Sequence, residues 1–192
     1  MDNQTLIAAL VILALIVIAL VLYQRRSRSK HLQRDFGPEY GRTVESMGSR
    51  DKAEAELLAR RKRVEKLNIV PLSPADAQRF TQAWRALQAR FVDNPQGALA
   101  EADALVRDLM SKRGYPMGDF ERSAADISVH HPGVVEHYRA GHAIAERHAR
   151  GEADTEGMRQ AVIHYRALFA ELLEVDEPGH HDTPHHGMRT QA

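Results

Sequence analysis

Apolar side chains follow two different patterns along this chain of 192 residues. From Leu6 to Tyr23 they form an unbroken run of eighteen residues, in which only the terminal tyrosine has a polar group. After this run, apolar positions recur at intervals of three and four, and alternation with a period of two is absent. Helices that each bury one face have this second pattern, so we expect an all-α fold with an antiparallel bundle of about four to five helices.

The apolar run is long enough to cross a bilayer once. At about 1.5 Å per residue a helix over residues 6–23 spans roughly 27 Å, close to the thickness of the hydrocarbon layer. A cleaved signal peptide is the alternative, but residues 1–5 carry no positive charge and no small-residue cleavage site follows the run. The sequence therefore predicts a short leader at residues 1–5 and an uncleaved transmembrane helix at residues 6–23.

A cluster of cations directly follows the apolar run. Arg25, Arg26, Arg28 and Lys30 contrast with a leader that has no cation. Because positively charged residues are retained on the cytoplasmic side, we predict an outside N-terminus and a cytoplasmic C-terminal domain, with Tyr23 at the interface. These cations suffice to set the topology, and they are also available for contact with anionic lipid headgroups.

Residues 24–72 are predicted to form a basic juxtamembrane stalk. From Arg25 to Lys66 there are thirteen Lys and Arg against seven Asp and Glu, although the whole chain has a formal charge of zero. A charged helix from about Arg50 to Leu67 carries a narrow coiled-coil-type seam, which consists of Ala53, Leu57, Arg60, Val64 and Leu67. The basic run at residues 60–63 has no aromatic residue nearby, so a solvated helix face is favoured and no nucleic acid is expected as a partner.

Residues 73–177 are predicted to form the helical bundle. Ser73-Pro74 and Asn94-Pro95 are typical helix starts, and Gly114 and Gly151 are typical helix ends. Asp119 is expected to cap a short helix, and two long helices should follow at about residues 132–150 and 155–175. Because only a few residues join these two helices, they must be antiparallel. The His-rich residues 178–192 lack periodicity and are predicted to be disordered.

Candidate chemistry is concentrated in the histidines. The chain has no cysteine, which excludes disulfides, thiolate catalysis and cysteine-ligated metals. Five of the eleven histidines lie between Asp126 and His148. On a helix they separate into two stripes, and the members of each stripe lie roughly 16 Å apart along the axis. Since metal ligands must lie about 2 Å from one ion, no two histidines of this helix can share one.

His142 and His164 are the remaining metal candidates. The predicted hairpin places them at the same level on neighbouring helices, where a carboxylate from a third helix would complete a site. However, His164 lies off the apolar stripe of its helix, and no Glu-x-x-His pattern accompanies the pair. A hydrogen-bonded core histidine is therefore the simpler interpretation of His142.

A second candidate is an acid–base site in a loop containing Asp126, His130 and His131. No nucleophile stands in a recognisable motif, since Ser128 lacks the strand–turn–helix context of hydrolases and no glycine-rich phosphate loop is present. A helix start capped by Asp126 or Ser128 explains the same residues. The sequence therefore predicts no catalytic residue and no cofactor, and favours a protein without enzymatic activity.

Four stretches of the chain carry a resemblance to known sequences. They are FGPEYGRTV at residues 36–44, WRALQARFVDNPQGALAEAD at 84–103, RGYPMGDFERSAADISVHHPGVVEHYRAGH at 113–142 and HYRALFAELL at 164–173. Together they resemble a family of small bacterial membrane proteins that have one N-terminal span and a helical domain. The resemblance implies a location in the bacterial inner membrane, but it brings no assigned activity. The family usually has an acidic residue where this chain has Gly41 and His130, which argues against His130 as an obligatory ligand.

Together these features predict a membrane-anchored helical module that acts by interaction or regulation, with a protein partner. The alternative is a membrane-tethered protein that binds a metal or cofactor, or an enzyme, with a histidine site in the bundle.

Overall fold

In the computed structural model, the backbone is described for residues 3–173 and the side chains for residues 11–173. Every regular element of this part is a helix, which confirms the all-α prediction. The helices are α1 (Asn3–Phe36), α2 (Pro38–Met47), α3 (Arg50–Val64), α4 (Pro74–Arg90), α5 (Pro95–Lys112), α6 (Phe120–His130), α7 (Val135–Ala149) and α8 (Thr155–Leu172). The tail predicted at residues 178–192 lies outside the described residues.

The first helix continues from the apolar segment into the folded domain without a break. Its apolar side chains are exposed from Val11 to Leu22, whereas Leu32 and Phe36 are buried near its C-terminus. Within the described part of the chain, none of the helices is sufficiently long and apolar to cross a membrane. Residues 6–10, with which the predicted span begins, lie outside the residues whose side chains are described, as do the predicted leader's side chains.

Residues 24–72 differ from the stalk that the sequence predicts. The chain turns at Gly37 and Gly48, both with positive φ, so α2 and α3 fold back on α1. We refer to α1 from Ser29 onward, α2 and α3 as the N-terminal unit. Its small core contains Leu32, Phe36, Tyr40 and Leu57. The predicted seam of α3 is buried as expected from Ala53 to Val64, but it packs within its own chain because α1, α2 and α6 surround it.

Helices α4 to α8 form the bundle, which has the larger core. Side chains of α4, α5, α7 and α8 supply most of this core, and Trp84 stacks on Phe169 with 4.5 Å between the ring centroids. His137 contacts His164, and Gly141 lies beside Ala161, so α7 and α8 are antiparallel, as predicted. The bundle is therefore held by apolar packing in which α8 lies between α5 and α7, while α4 packs on α5 and α6 packs on α7.

The structure corrects the predicted helix start near residue 126. Asp119 caps α6 as predicted, but this helix continues to His130, so Asp126 and Ser128 lie inside it and cap nothing. Ser128 donates its hydroxyl hydrogen bond to the carbonyl of Ala125, one turn back, and this bond is compatible with a continuous helix.

Candidate functional site: a charged cleft between α2, α6 and α7

A cleft of about 430 Å³ lies where the N-terminal unit meets the bundle. Its walls come from α2, from the first turn of α6 and from α7. The polar side chains that line it are Arg42, Asp119, Glu121, Arg139, His142 and Glu146. A second groove continues from it between α3 and α6, and shares Asp119 and Glu121 with it. We call the first of these two spaces the charged cleft.

A buried carboxylate holds the deep side of the charged cleft together. Glu39 of α2 has 1% of its surface exposed, and its Oε1 accepts hydrogen bonds from Arg60 at 2.9 Å and from Arg139 at 3.0 Å. Arg139 also donates to Glu121 at 2.6 Å, and Arg60 donates to Glu56 at 3.0 Å. Four helices therefore meet in one ion network, and each buried charge has an opposite charge beside it.

The network has unused hydrogen-bonding capacity. Oε2 of Glu39 and Nε of Arg139 are buried and have no hydrogen-bond partner. Burial lowers the pKa of Arg139, but the bonds to Glu121 and Glu39 outweigh this effect and leave the pKa above its ordinary value. Arg139 therefore stays charged at the base of the cleft, which it helps to line.

A second buried ion pair joins the same two regions. Nε and Nη2 of Arg63 both donate to Oδ1 of Asp126, which is fully buried in α6. Around this pair the neighbouring surfaces of α3 and α6 are also charged. Charged side chains thus attach the N-terminal unit to the bundle, together with Val129 of α6, which packs against the core of the unit.

His142 lies on the wall of the charged cleft. Its ring stacks on Phe120, with 3.6 Å between centroids and 11° between planes, and Nε2 is 3.5 Å from Oε1 of Glu146. The side chain is about one quarter exposed. The structure therefore places this histidine at the edge of the bundle, beside an aromatic ring and a carboxylate, instead of inside the core.

His164 has a different partner. Its Nδ1 lies 3.0 Å from Nδ1 of His137, so the two imidazoles bridge α7 and α8. Partial burial and the neighbouring His137 lower the pKa of His164. In the part of the chain that the structure describes, no group of three His, Asp or Glu side chains could hold a metal ion.

The residues of the predicted acid–base loop also have separate partners. His130 Nδ1 is 3.3 Å from the hydroxyl of Tyr115, and His131 Nδ1 is 3.1 Å from Glu171. Burial raises the pKa of Tyr115 to about 12, so its hydroxyl keeps the proton at neutral pH. Burial, followed by the neighbouring His131, lowers the pKa of His130. These contacts tie the end of α6 to its surroundings, and they do not combine into one catalytic group.

The predicted interface residues lie on α1 before the domain begins. Tyr23, Arg25, Arg26, Arg28 and Lys30 are all exposed. None of these four cations forms an ion pair with another described residue. Their charges therefore remain available to groups outside the chain.

Sequence reasoning missed the residues that build the charged cleft, namely Glu39, Glu121 and Arg139. One signal was present, because Arg60 occupies a seam position that is otherwise apolar. An arginine on a buried face needs a buried carboxylate partner. Glu39 lies in α2, next to the core residue Tyr40. Only the fold shows that α2 packs along α3 and so brings Glu39 to Arg60.

The lining of the charged cleft suits binding better than covalent chemistry. Its described side chains include charges of both signs and an aromatic–imidazole stack, but no hydroxyl, thiol or amine nucleophile. Comparisons with protein-family models, curated proteins and solved structures gave no match for this chain.

Proposed function

We propose that this chain is a single-span protein of the bacterial inner membrane, whose cytoplasmic helical domain binds a protein partner at the charged cleft and has no catalytic activity. The observation that carries the proposal is the continuity of α1, because one helix contains the apolar segment and also Leu32 and Phe36 of a buried core. The domain is therefore fixed to the apolar segment without a flexible linker. Helix α2, which packs on α1, supplies a wall of the cleft.

The free charges of the cleft indicate the chemistry of the partner. Glu39, Arg139 and Glu121 are paired within the ion network, together with Arg60, so Arg42 on α2, Asp119 at the start of α6 and Glu146 on α7 are the charges of the cleft without an Arg or Lys ion pair to the described residues. They lie on different walls. A segment with an acidic and a basic side chain fits this arrangement, because each of its charges meets an opposite one.

Extraction from membranes tests the anchor. We expect the full chain to remain in membranes during alkaline carbonate treatment, and a variant with Leu15→Arg and Ile16→Arg to be released, since each central arginine opposes insertion by about 3 kcal/mol. Val70→Arg, on the exposed surface of the domain, is the matched control and should remain bound. Release of the unmodified chain would contradict the anchor, and a C-terminal reporter tests its orientation.

Photo-crosslinking in membranes tests the cleft. A photoreactive residue at Ala143, which is exposed on the cleft wall, should give a discrete crosslinked product. Arg42→Glu should abolish this product, whereas Arg166→Glu, an exposed arginine of α8 with no ion pair to the described residues, should retain it. Equal loss in both variants would show that the cleft does not select the partner.

One observation favours the alternative, a tethered protein that binds a metal. The 3.0 Å between the Nδ1 atoms of His137 and His164 is close to the separation of two ligands that each lie about 2 Å from one ion. Metal analysis of the freshly purified chain tests this alternative. Bound metal that is lost in His164→Gln would support it, and the same metal content in both proteins would oppose it.

A further inference from the structure

The directions of the helices relative to α1 follow from specific contacts. Ser29 bonds to Glu54, and six residues further along α1 Asp35 bonds to Arg61, at 2.6 Å. From the first contact to the second, the residue number increases on both helices, so α3 runs parallel to α1. Helix α2, which connects them, must run back toward the apolar segment. The α2–α3 turn at residues 47–50 therefore lies at the end of the domain that faces this segment.

The same argument fixes the direction of α7. Arg63 of α3 contacts Asp126, and residues 56 and 60 share a groove with Arg122, so α6 runs parallel to α3. Helix α7 runs back toward the apolar segment, parallel to α2. Arg139 bonds to Glu39, and Glu146, further along α7, faces a position three residues further along α2. The α7–α8 turn at residues 150–154 is therefore at the same end as the α2–α3 turn.

Helices α4 and α5 bring a third turn to this end. Asp103 accepts a hydrogen bond from Tyr165, and Arg113 donates to the carbonyl of Leu172, so α5 runs in the direction of α8, away from the apolar segment. Arg90 of α4 contacts Glu101, whereas Arg79 contacts Asp108, so α4 is antiparallel to α5. The α4–α5 turn at residues 91–94 therefore joins the other two turns, which together form what we call the proximal end.

Helical rise gives the height of the proximal end above the predicted interface. Ser29 lies about 9 Å beyond Tyr23 along α1, and Arg50 lies about 6 Å back from Glu54, at about 1.5 Å per residue. This places the α2–α3 turn about 3 Å from the level of Tyr23. The same rise applied through α7, α8 and α5 places the α4–α5 turn within about 10 Å of that level.

Exposed apolar and unpaired basic side chains meet at this end. Val92, in the α4–α5 turn, is 85% exposed, and Met47, in the α2–α3 turn, is 40% exposed. Arg50 makes no ion pair with any described residue, and the same is true of the α1 cations at residues 25–30. Further from the apolar segment, Arg60, Arg61 and Arg63 are all paired with carboxylates.

We propose that the proximal end rests on the bilayer surface, with Val92 and Met47 in the boundary between headgroups and acyl chains, and with Arg50 and the α1 cations against anionic phosphate groups. Amphipathic surfaces bind membranes in this way, through apolar insertion and attraction to anionic lipids. The inference rests on the proposed anchor, because α1 is what brings the proximal end to the membrane.

Single-cysteine labelling tests this contact directly, since the chain has no cysteine of its own. The full chain would be reconstituted in vesicles of phosphatidylcholine with phosphatidylglycerol, and labelled with an environment-sensitive fluorophore at one position. Val17→Cys reports the anchor and Val92→Cys reports the proximal end. Val70→Cys is the matched control, because this exposed valine bonds to Arg113 at the opposite end.

Quenchers attached to lipids at two depths separate the outcomes. We expect the deep quencher to act on position 17, the shallow quencher to act on position 92, and neither to act on position 70. Quenching at 17 without quenching at 92 would overturn the surface contact and leave the anchor intact. Absence of quenching at position 17 would overturn the anchor and this inference together. Equal quenching at 92 and 70 would show that the domain has no preferred orientation.

The contribution of the anionic lipid to the surface contact is measured separately. We expect shallow quenching at position 92 to fall at least twofold in vesicles of phosphatidylcholine alone, and to fall similarly when Arg50→Glu is added in mixed vesicles. Arg166→Glu should leave the quenching unchanged. Quenching that is independent of the lipid charge and of Arg50 would overturn the assignment of these cations to phosphate groups.

Discussion

The N-terminal unit and the bundle are held together in different ways. The bundle buries a large set of apolar side chains from its own helices, whereas the N-terminal unit has a core of four buried residues. The unit is attached to the bundle through buried ion pairs of Glu39 with Arg139 and of Arg63 with Asp126, and through Val129 of α6, which packs against its core. Apolar packing does not depend on the protonation of side chains. Loss of one partner of a buried ion pair, in contrast, strongly destabilises the fold. The stability of this junction should therefore depend on side-chain charge more than the stability of the bundle does.

The helix starts show the same contrast. In the bundle, α4, α5, α6 and α8 each begin with a side chain that accepts a backbone hydrogen bond, from Ser73, Asn94, Asp119 and Asp154. In the N-terminal unit, α2 and α3 begin without such a bond. Four of the five bundle helices thus have a local start signal, whereas α2, α3 and α7, which starts at Val135 without a side-chain cap, depend on their tertiary contacts.

The largest expected effect is in the bundle core. Leu109→Ala should lower the free energy of unfolding by about 4 kcal/mol, because this fully buried residue of α5 would leave a cavity among packed helices. Urea denaturation of the full chain in detergent measures the change, with the exposed Val92→Ala as control. A loss below about 1 kcal/mol would mean that apolar packing is not what holds the bundle.

A somewhat smaller effect is expected at the junction. Glu39→Gln should cost about 3 kcal/mol, because Arg60 and Arg139 lose the carboxylate that compensates their buried charges. Hydrogen exchange should increase in α2 and α3 more than in α5, since the bundle keeps its own core. Glu45→Gln, an exposed change in the same helix, is the control. Equal increases in exchange across all helices would show that the two regions unfold as one.

The caps should differ by about 1 kcal/mol. Ser73→Ala removes an accepted hydrogen bond from the amide of Asp76 and should cost about 1 kcal/mol, whereas Ser49→Ala removes no side-chain cap and should cost less than about 0.3 kcal/mol. Thermal unfolding of the two variants tests this ordering. A larger loss for Ser49→Ala would reverse the proposed difference between the two regions.

The smallest expected effect is a dependence on pH at the α7–α8 hairpin. The pKa of His164 is lowered, so its neutral form is favoured in the folded state. The associated stability is present above the ordinary histidine pKa of about 6.5 and is lost as the pH falls below it. His164→Gln should therefore lose less stability than the unmodified chain between about pH 8 and about pH 5. Titration by NMR measures the pKa of His164 directly, and a pKa at or above the ordinary histidine value would contradict this prediction.

Local signals in the sequence predicted most of the bundle. The Ser-Pro and Asn-Pro starts, the stripe of Phe80, Trp84 and Leu87, and the short α7–α8 connection all act over a few residues, and the structure confirms them. The helix boundary near His131 was less predictable, because Asp126 and Ser128 are common in caps. Here both lie inside α6, where Asp126 pairs with Arg63 of α3 and Ser128 donates to the carbonyl of Ala125.

The charged cleft was not predictable in the same way. Glu39 and Arg139 are a hundred residues apart in the chain, and nothing local in either segment specifies the other. The histidine content of the chain made His142 a candidate, and this residue does line the cleft. The presence of Arg42 and Glu121 beside it depends on how the helices fold together, which the sequence does not show. Periodicity predicts which face of a helix is buried, but it does not predict which charged residues meet across a junction.

The continuity of α1 also determines how a soluble fragment can be made. A truncation placed after the basic cluster to remove the apolar segment would come close to Leu32. A cut beyond Leu32 would remove one residue of the four-residue core, and a cut beyond Phe36 would remove two. Either cut would also remove Ser29, which shares the carboxylate of Glu54 with Tyr40. A fragment that begins before residue 25 keeps these contacts. Solubility favours a later start, which removes more of the apolar segment, whereas correct folding requires an earlier start, which keeps the last turns of α1.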